Sequence, residues 1–225
     1  MINTNRLFLL LITITAFCLQ SCFEVVEQVT LHNNGSGDFQ LVLNMSKSKT
    51  KINSLVKMKT VNGHPIPTKE EITKKIADIE KTLQNTSGIT NVKTKLDFDS
   101  YIATLSCSFD KVSSLNAAVK NINTKEKSTN KAYEKNYEYD VVSKVFTRLD
   151  NFSLKKEYDK MSNADKEIFA TANYTGIFRF DNSIANVSNG NSKIAADKKA
   201  AMLKENMLDV ITDKKPIENK ITLTK

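Results

Sequence analysis

The chain has no tryptophan, two histidines, three cysteines, six glycines and three prolines among 225 residues. With so little glycine and proline and no repeat period, a collagen-like stalk, a solenoid and a long flexible linker are excluded. Two of the three cysteines, Cys18 and Cys22, precede the folded part of the chain, so Cys107 has no intramolecular partner there. No disulfide framework is available, and the fold must stand on an apolar core. His32 and His64 form no cluster with Cys107 at zinc-ligand spacing, so no metal and no cofactor are expected. Glycine loops that cradle phosphates, a dinucleotide fingerprint and a Gly-x-Ser-x-Gly elbow are all missing. Without tryptophan a carbohydrate-processing enzyme is disfavoured, although tyrosine can serve a binding face. Beyond the N-terminus no apolar run reaches the ~18 residues of a membrane span.

What is present starts with Leu7–Cys18, about a dozen apolar residues after the single charge of Arg6. That is the length of a signal-peptide core and too short to cross a bilayer as a helix. The next four residues, Leu19-Gln20-Ser21-Cys22, resemble the bacterial lipoprotein box: Leu at −3, a small residue at −1 and Cys at +1, with Gln20 departing from the small residue usual at −2. The resemblance implies cleavage after residue 21, a diacylglyceryl group on Cys22 and an acyl chain such as palmitate on its amine. Ordinary secretion with Cys22 as a free thiol is the alternative. Cys18 competes poorly because bulky Phe17 would stand at −1. Phe23 follows where some bacteria place an inner-membrane retention aspartate, so the expected location is the cell envelope, anchored in the outer membrane.

The formal net charge is +8, from 33 Lys and Arg against 25 acids, and only three of the basic residues are arginine. A lysine-rich surface held near a membrane attracts anionic headgroups or acidic polysaccharide, and it also simply keeps a domain soluble. The run Lys47-Ser48-Lys49-Thr50-Lys51 concentrates this charge, which makes Lys47, Lys49 and Lys51 the candidate anionic-ligand residues. No aromatic residues interleave them, so nucleic acid is not an expected partner.

After the anchor, alternation predicts a strand over 24–32 with Val25, Val29 and Leu31 on one face, then a turn at Asn33–Gly37. A return strand follows with Phe39, Leu41, Leu43 and Met45 inward. The spacing of Ile52, Leu55 and Val56 suggests a short amphipathic helix, broken by Gly63–Pro67. Thr68 and Glu71 form a capping box ahead of Ile72, Ile76, Ile79 and Leu83, with Gly88 as the stop. A second hairpin places Val92, Thr94, Leu96 and Phe98 opposite Tyr101, Ala103, Leu105, Cys107 and Phe109. A helix begins near Asp110 with Val112, Leu115, Val119 and Ile122 inward. After a polar loop, one strand is expected over 137–149, completing a ferredoxin-like βαββαβ unit. Later segments read as a helix over 155–170, strands at 174–180 and 198–203, a helical turn at 206–211 and a terminal strand near 217–223.

The fold class expected is α+β: an antiparallel sheet with helices on one side and a β-rich C-terminal part. The division expected is a signal peptide over 1–21, an α+β domain over 22–150, and a C-terminal extension or second lobe over 151–225.

Three passages resemble the LppM-like lipoprotein domains, a family of envelope proteins. They are Val29–Gly37, the hairpin and helix from Asp99-Ser100-Tyr101 to Leu115-Asn116, and Phe178-Arg179-Phe180-Asp181-Asn182-Ser183-Ile184 leading to Asn189-Gly190. The last departs from the family's Phe-Pro-Gly turn, with Asp181-Asn182 in place of Pro-Gly. The resemblance implies an envelope-facing α/β domain that handles a lipid or glycolipid, and it brings no catalytic residues.

Cys107 alternates in phase with Leu105 and Phe109 and is read as a core residue rather than a nucleophile. Glu70 and Glu71 are adjacent, face different directions and suit a helix start better than a glycosidase pair. No catalytic residue is assigned. The function expected is that of a membrane-anchored lipoprotein whose non-catalytic domain binds a lipid, glycan or protein partner. The alternatives are a structural subunit pairing through sheet edges and, less favoured, an envelope hydrolase.

Overall fold

The structure is a computed structural model and describes residues 23–58, 60–61, 63–125, 135–150 and 153–225. Residues 1–22, with the signal segment and Cys22, lie outside the described residues.

The chain opens with a hairpin, β1 (Glu24–Leu31) and β2 (Gly37–Asn44), closed by a turn in which Gly35 takes φ +88°. At Gly37 even a methyl group is excluded, since a Cβ would lie 2.0 Å from the Thr30 carbonyl oxygen. A 3₁₀ turn leads into helix α1 (Lys49–Val56), and a small hairpin, β3 (Thr60–Val61) and β4 (His64–Pro65), follows. Helix α2 (Lys69–Gln84) starts at the anticipated capping box. The Glu71 amide donates to Thr68 Oγ1 at 3.1 Å, and the Thr68 amide donates to Glu71 Oε2 at 2.8 Å. Strands β5 (Ile89–Asp97) and β6 (Ile102–Phe109) and helix α3 (Val112–Lys125) complete the hairpin, helix, hairpin, helix order read from the sequence.

Residues 137–149 depart from the single strand expected there. They form a second hairpin, β7 (Tyr137–Asp140) and β8 (Val145–Arg148). The break is an Asx turn: Asp140 Oδ1 accepts from the amides of Val142 (2.9 Å) and Ser143 (3.2 Å), and Lys144 takes φ +56°. The helical stretch at 155–170 is likewise two helices, α4 (Lys155–Lys160) and α5 (Asn163–Ala170), the second capped by Ser162. Strands β9 (Asn173–Phe180), β10 (Ile184–Val187), β11 (Lys193–Ile194) and β12 (Ala200–Asn206), helix α6 (Met207–Ile211) and strand β13 (Asn219–Leu223) end the chain.

The fold is α+β, with a large, mostly antiparallel sheet. Seven strands run in the order β11-β12-β9-β1-β2-β6-β5, and every neighbouring pair is antiparallel except β1 with β9. A four-stranded sheet, β10-β13-β8-β7, lies against the inner face. The core is built from the inward register: Val29, Leu31, Phe39, Cys107, Phe109, Phe178 and Phe180 of the large sheet meet Tyr137, Phe146 and Ile221 of the small one, and Leu83, Leu115 and Ala118 of the helices. The rings continue across the two sheets, with Phe146 5.5 Å from Phe178, 5.6 Å from Phe180 and 6.2 Å from Tyr137.

Inside this core lies an ion pair between the sheets. Glu27 of β1 and Arg148 of β8 are each 5 % exposed. Arg148 donates Nε to Glu27 Oε1 at 2.7 Å and Nη2 to Oε2 at 3.0 Å, a bidentate fork. Its Nη1 donates to the Leu149 carbonyl at 2.5 Å, and the guanidinium stacks 5.0 Å from the Tyr137 ring. Burial, the largest single influence, opposes the arginine's charge, but Glu27, Tyr137 and Tyr174 together outweigh it and hold the guanidinium's pKa well above its ordinary value.

Replacing Arg148 with Met leaves Glu27 buried and unpaired, so Arg148→Met is expected to destabilise by about 3–5 kcal/mol. Glu27→Leu combined with Arg148→Met is expected to recover most of that loss. Urea unfolding of the two singles and the double measures both, and singles within about 1 kcal/mol of the native protein would remove the pair's structural role.

Candidate functional site

The outward register of the large sheet is chemically distinct from the core face. Thr30 and Asp38, Gln28 and Gln40, and Val26 and Val42 face one another across β1 and β2, and Ser108, Ser106 and Thr104 of β6 continue the three rows. On this face Gln28, Thr30, Asp38, Gln40, Asn91, Lys93, Ser106 and Ser108 line a polar trough of about 580 Å³. Asn91 sits where β5 bulges between Thr90 and Lys93, with φ +52°. Its amide donates to Ser108 Oγ at 3.2 Å, and Ser108 donates to Asp38 Oδ1 at 2.6 Å. Amides and hydroxyls in rows offer donors and acceptors to a polar ligand.

The basic residues singled out in the sequence sit elsewhere, at the end of the sheet where β1 starts. Glu24 pairs with Asn44 of β2 and Asn173 of β9. The Phe23 carbonyl accepts from the Asn173 amide at 3.0 Å, and the Phe23 ring meets Phe169 of α5 edge-on at 6.0 Å. Lys47, on the turn just after β2, shares a notch of about 20 Å³ with Phe23, Glu24, Asn44, Asn173 and Lys204. Lys204 reaches Glu24 Oε1 at 3.6 Å. Lys49 and Lys51 are exposed on the first turn of α1, and Asn53 of that helix accepts from the Tyr101 hydroxyl at 2.5 Å. The structure thus brings Lys47 against the first strand and places Lys49 and Lys51 on the adjoining helix, all at one end.

At the opposite end a cleft of about 530 Å³ runs between the β1–β2 turn, the start of α3 and β7, with Asn34, Lys111, Asn116 and Tyr139 among its walls. His32 there contacts Asp181 at 3.2 Å, and hydrogen bonding to His32 lowers the Asp181 pKa. For His64 only the backbone is described. Among the described residues no three His, Cys, Asp or Glu side chains are grouped to hold a metal ion.

Sequence reading passed over the trough and the buried pair. Glu27 shares the inward register of Val25, Val29 and Leu31, and a charge at that position was the signal for the pair. The trough had no signal, because its rows come from strands paired across the sheet.

Cys107 is buried, as its phase with Leu105 and Phe109 implied, and burial pushes its thiol up to about 11. The folded protein is expected to leave Cys107 unalkylated by iodoacetamide at neutral pH and to modify it fully in urea. Peptide mass mapping checks this, and rapid native labelling would show the strand to be open.

The sequence matches no protein-family profile and no curated protein. Among solved structures, the chain is similar to the NMR structure of the folded domain of the Mycobacterium tuberculosis LppM protein, at 12 % identity over 91 % of this chain and 92 % of that one, with a TM-score of 0.39.

Proposed function

We propose that this protein is an acylated lipoprotein of the bacterial envelope, held in the outer membrane through Cys22, whose α+β domain is a non-catalytic binding module for an anionic lipid, glycolipid or envelope protein. One observation carries the reading. Cys22 is bonded to Phe23, and β1, which follows at once, is the middle strand of the seven-stranded sheet, so the anchor would act on the domain with no linker. Lys47, Lys49 and Lys51 gather at that same end, where a membrane-held domain meets anionic headgroups. The trough stands on a face of the sheet that the helices leave uncovered and suits a polar portion of the same ligand.

The alternative of a structural subunit pairing through sheet edges finds less support in the edges themselves. The long edge strand β5 carries a bulge, Lys93 and Lys95, while β11, β10 and β7 are two to four residues long. Short, bulged and lysine-bearing edges resist strand addition.

Mass spectrometry of the N-terminal peptide, from the protein made in a lipoprotein-processing bacterium, is expected to begin at Cys22 and carry diacylglyceryl and acyl mass. Cys22→Ser is expected to abolish that mass and release the protein from the membrane fraction. An unmodified thiol at Cys22 would overturn the anchor. Native mass spectrometry of the released protein then reports a bound lipid or glycolipid, which Lys47→Glu with Lys49→Glu and Lys51→Glu is expected to remove.

A further inference from the structure

Helix α1 is eight residues long and buries none of its side chains. Isolated helices shorter than ~12–15 residues are marginal in water, and short helices in proteins normally persist by packing an apolar face against a core. Helix α1 has an apolar stripe of which no side chain is fully buried. At 3.6 residues per turn Ile52, Leu55 and Val56 fall on one side, with Lys49 and Lys51 on its two flanks. Ile52 and Leu55 are half-buried, Val56 is 52 % exposed, and Met58, just past the helix end, is also 52 % exposed. The polar side carries Asn53, which ties the helix to Tyr101.

The charge of this segment has one sign. Residues 45–58 hold Lys47, Lys49, Lys51 and Lys57 and no acid. A short helix with a lysine-flanked apolar stripe is the pattern of a segment lying in the plane of an anionic bilayer surface. Its position agrees: Lys47 lines the same notch as Phe23, which is bonded to the anchor residue.

We infer that α1 is a membrane-surface helix that lays Ile52, Leu55, Val56 and Met58 into the headgroup boundary of an anionic bilayer, beside the anchor. The inference rests on the lipoprotein reading for its geometry and names the partner of the basic end. Lipid chain and helix would make two contacts, fixing the angle of the domain so that β1 rises from the membrane and the β7–β8 turn points away. One acyl-type anchor by itself leaves a domain free to swivel about a single point, and a second interfacial contact removes that freedom.

The absence of tryptophan makes the test free of background. The mature chain, residues 22–225 with Cys22→Ser and therefore without acyl groups and without the apolar segment 7–18, is given one reporter, Met58→Trp at this end or Val142→Trp at the far turn, where Val142 is 89 % exposed. With vesicles of phosphatidylglycerol and phosphatidylethanolamine, the emission of Met58→Trp is expected to shift to the blue and that of Val142→Trp to stay unchanged. Phosphatidylcholine vesicles are expected to shift neither. Adding Lys49→Glu and Lys51→Glu is expected to weaken vesicle co-sedimentation at least about 25-fold, from roughly fivefold per lysine. An unshifted Met58→Trp, or equal shifts at both ends, overturns the inference. The mass of Cys22 decides the anchor separately. Acylated Cys22 with a silent Met58→Trp sinks the helix contact alone, and unmodified Cys22 with a shifted Met58→Trp sinks the anchor alone.

Discussion

The two sheets are held in register by a buried charge. Glu27 and Arg148 lie 121 positions apart and meet in a two-pronged contact inside an aromatic core. Removing two ions from water costs several kcal/mol each, and their attraction repays this only when geometry is good and the remaining donors are used. Both conditions hold, since the fork is bidentate and the third guanidinium nitrogen serves the Leu149 carbonyl. Apolar contact would tolerate a sliding of one sheet over the other. A buried fork does not, because a shift of one residue would strand both charges.

This fixes more than the sheet packing. Glu27 sits on the strand that also makes the only parallel pair of the large sheet, with β9, so residues 24–31 are bonded on both sides and clamped from the inner face. Tyr137 and Tyr174 close over the pair. Burial, the largest cause, and the neighbouring Glu27 carboxylate both push their phenols up. Perturbed ionisable groups often mark catalytic sites. Here Arg148, Tyr137 and Tyr174 mark an inter-sheet strut, and Tyr137, which borders the cleft beside the β1–β2 turn, is 3 % exposed.

What was legible in the sequence follows from the range of the interactions. The two hairpins at 24–44 and 89–109, the capping box at Thr68 and Glu71, and the helix after Asp110 are set by residues a few positions apart, and alternation reports them faithfully. Residues 137–149 misled because Val141 and Val142 keep strand composition. The turn is made instead by the carboxylate of Asp140 and the positive φ of Lys144. The place of β9 beside β1 was beyond reach, because Phe178 and Phe180 alternate as they would in any strand and nothing local names the neighbour. The candidate site divides the same way. The lysines at 47–51 are a run in the sequence, whereas the polar trough exists only after β1, β2, β6 and β5 are laid side by side.

The clamp on β1 also bears on how an anchored domain would carry load. If Cys22 is held in a membrane, any tug on the domain passes through Phe23 into a strand whose eight residues pair with both neighbours. Pulling along such a strand shears many hydrogen bonds together, whereas an edge strand or a frayed terminus would peel one at a time. A linker would have made this resistance unnecessary, and the chain has none between Cys22 and Glu24. With the sheet itself stiff, a second contact placed close to the anchor would set the tilt of the whole sheet. The clamped first strand and the unburied basic helix beside it are complementary: each would be of little use to a domain that hung free on a long tether.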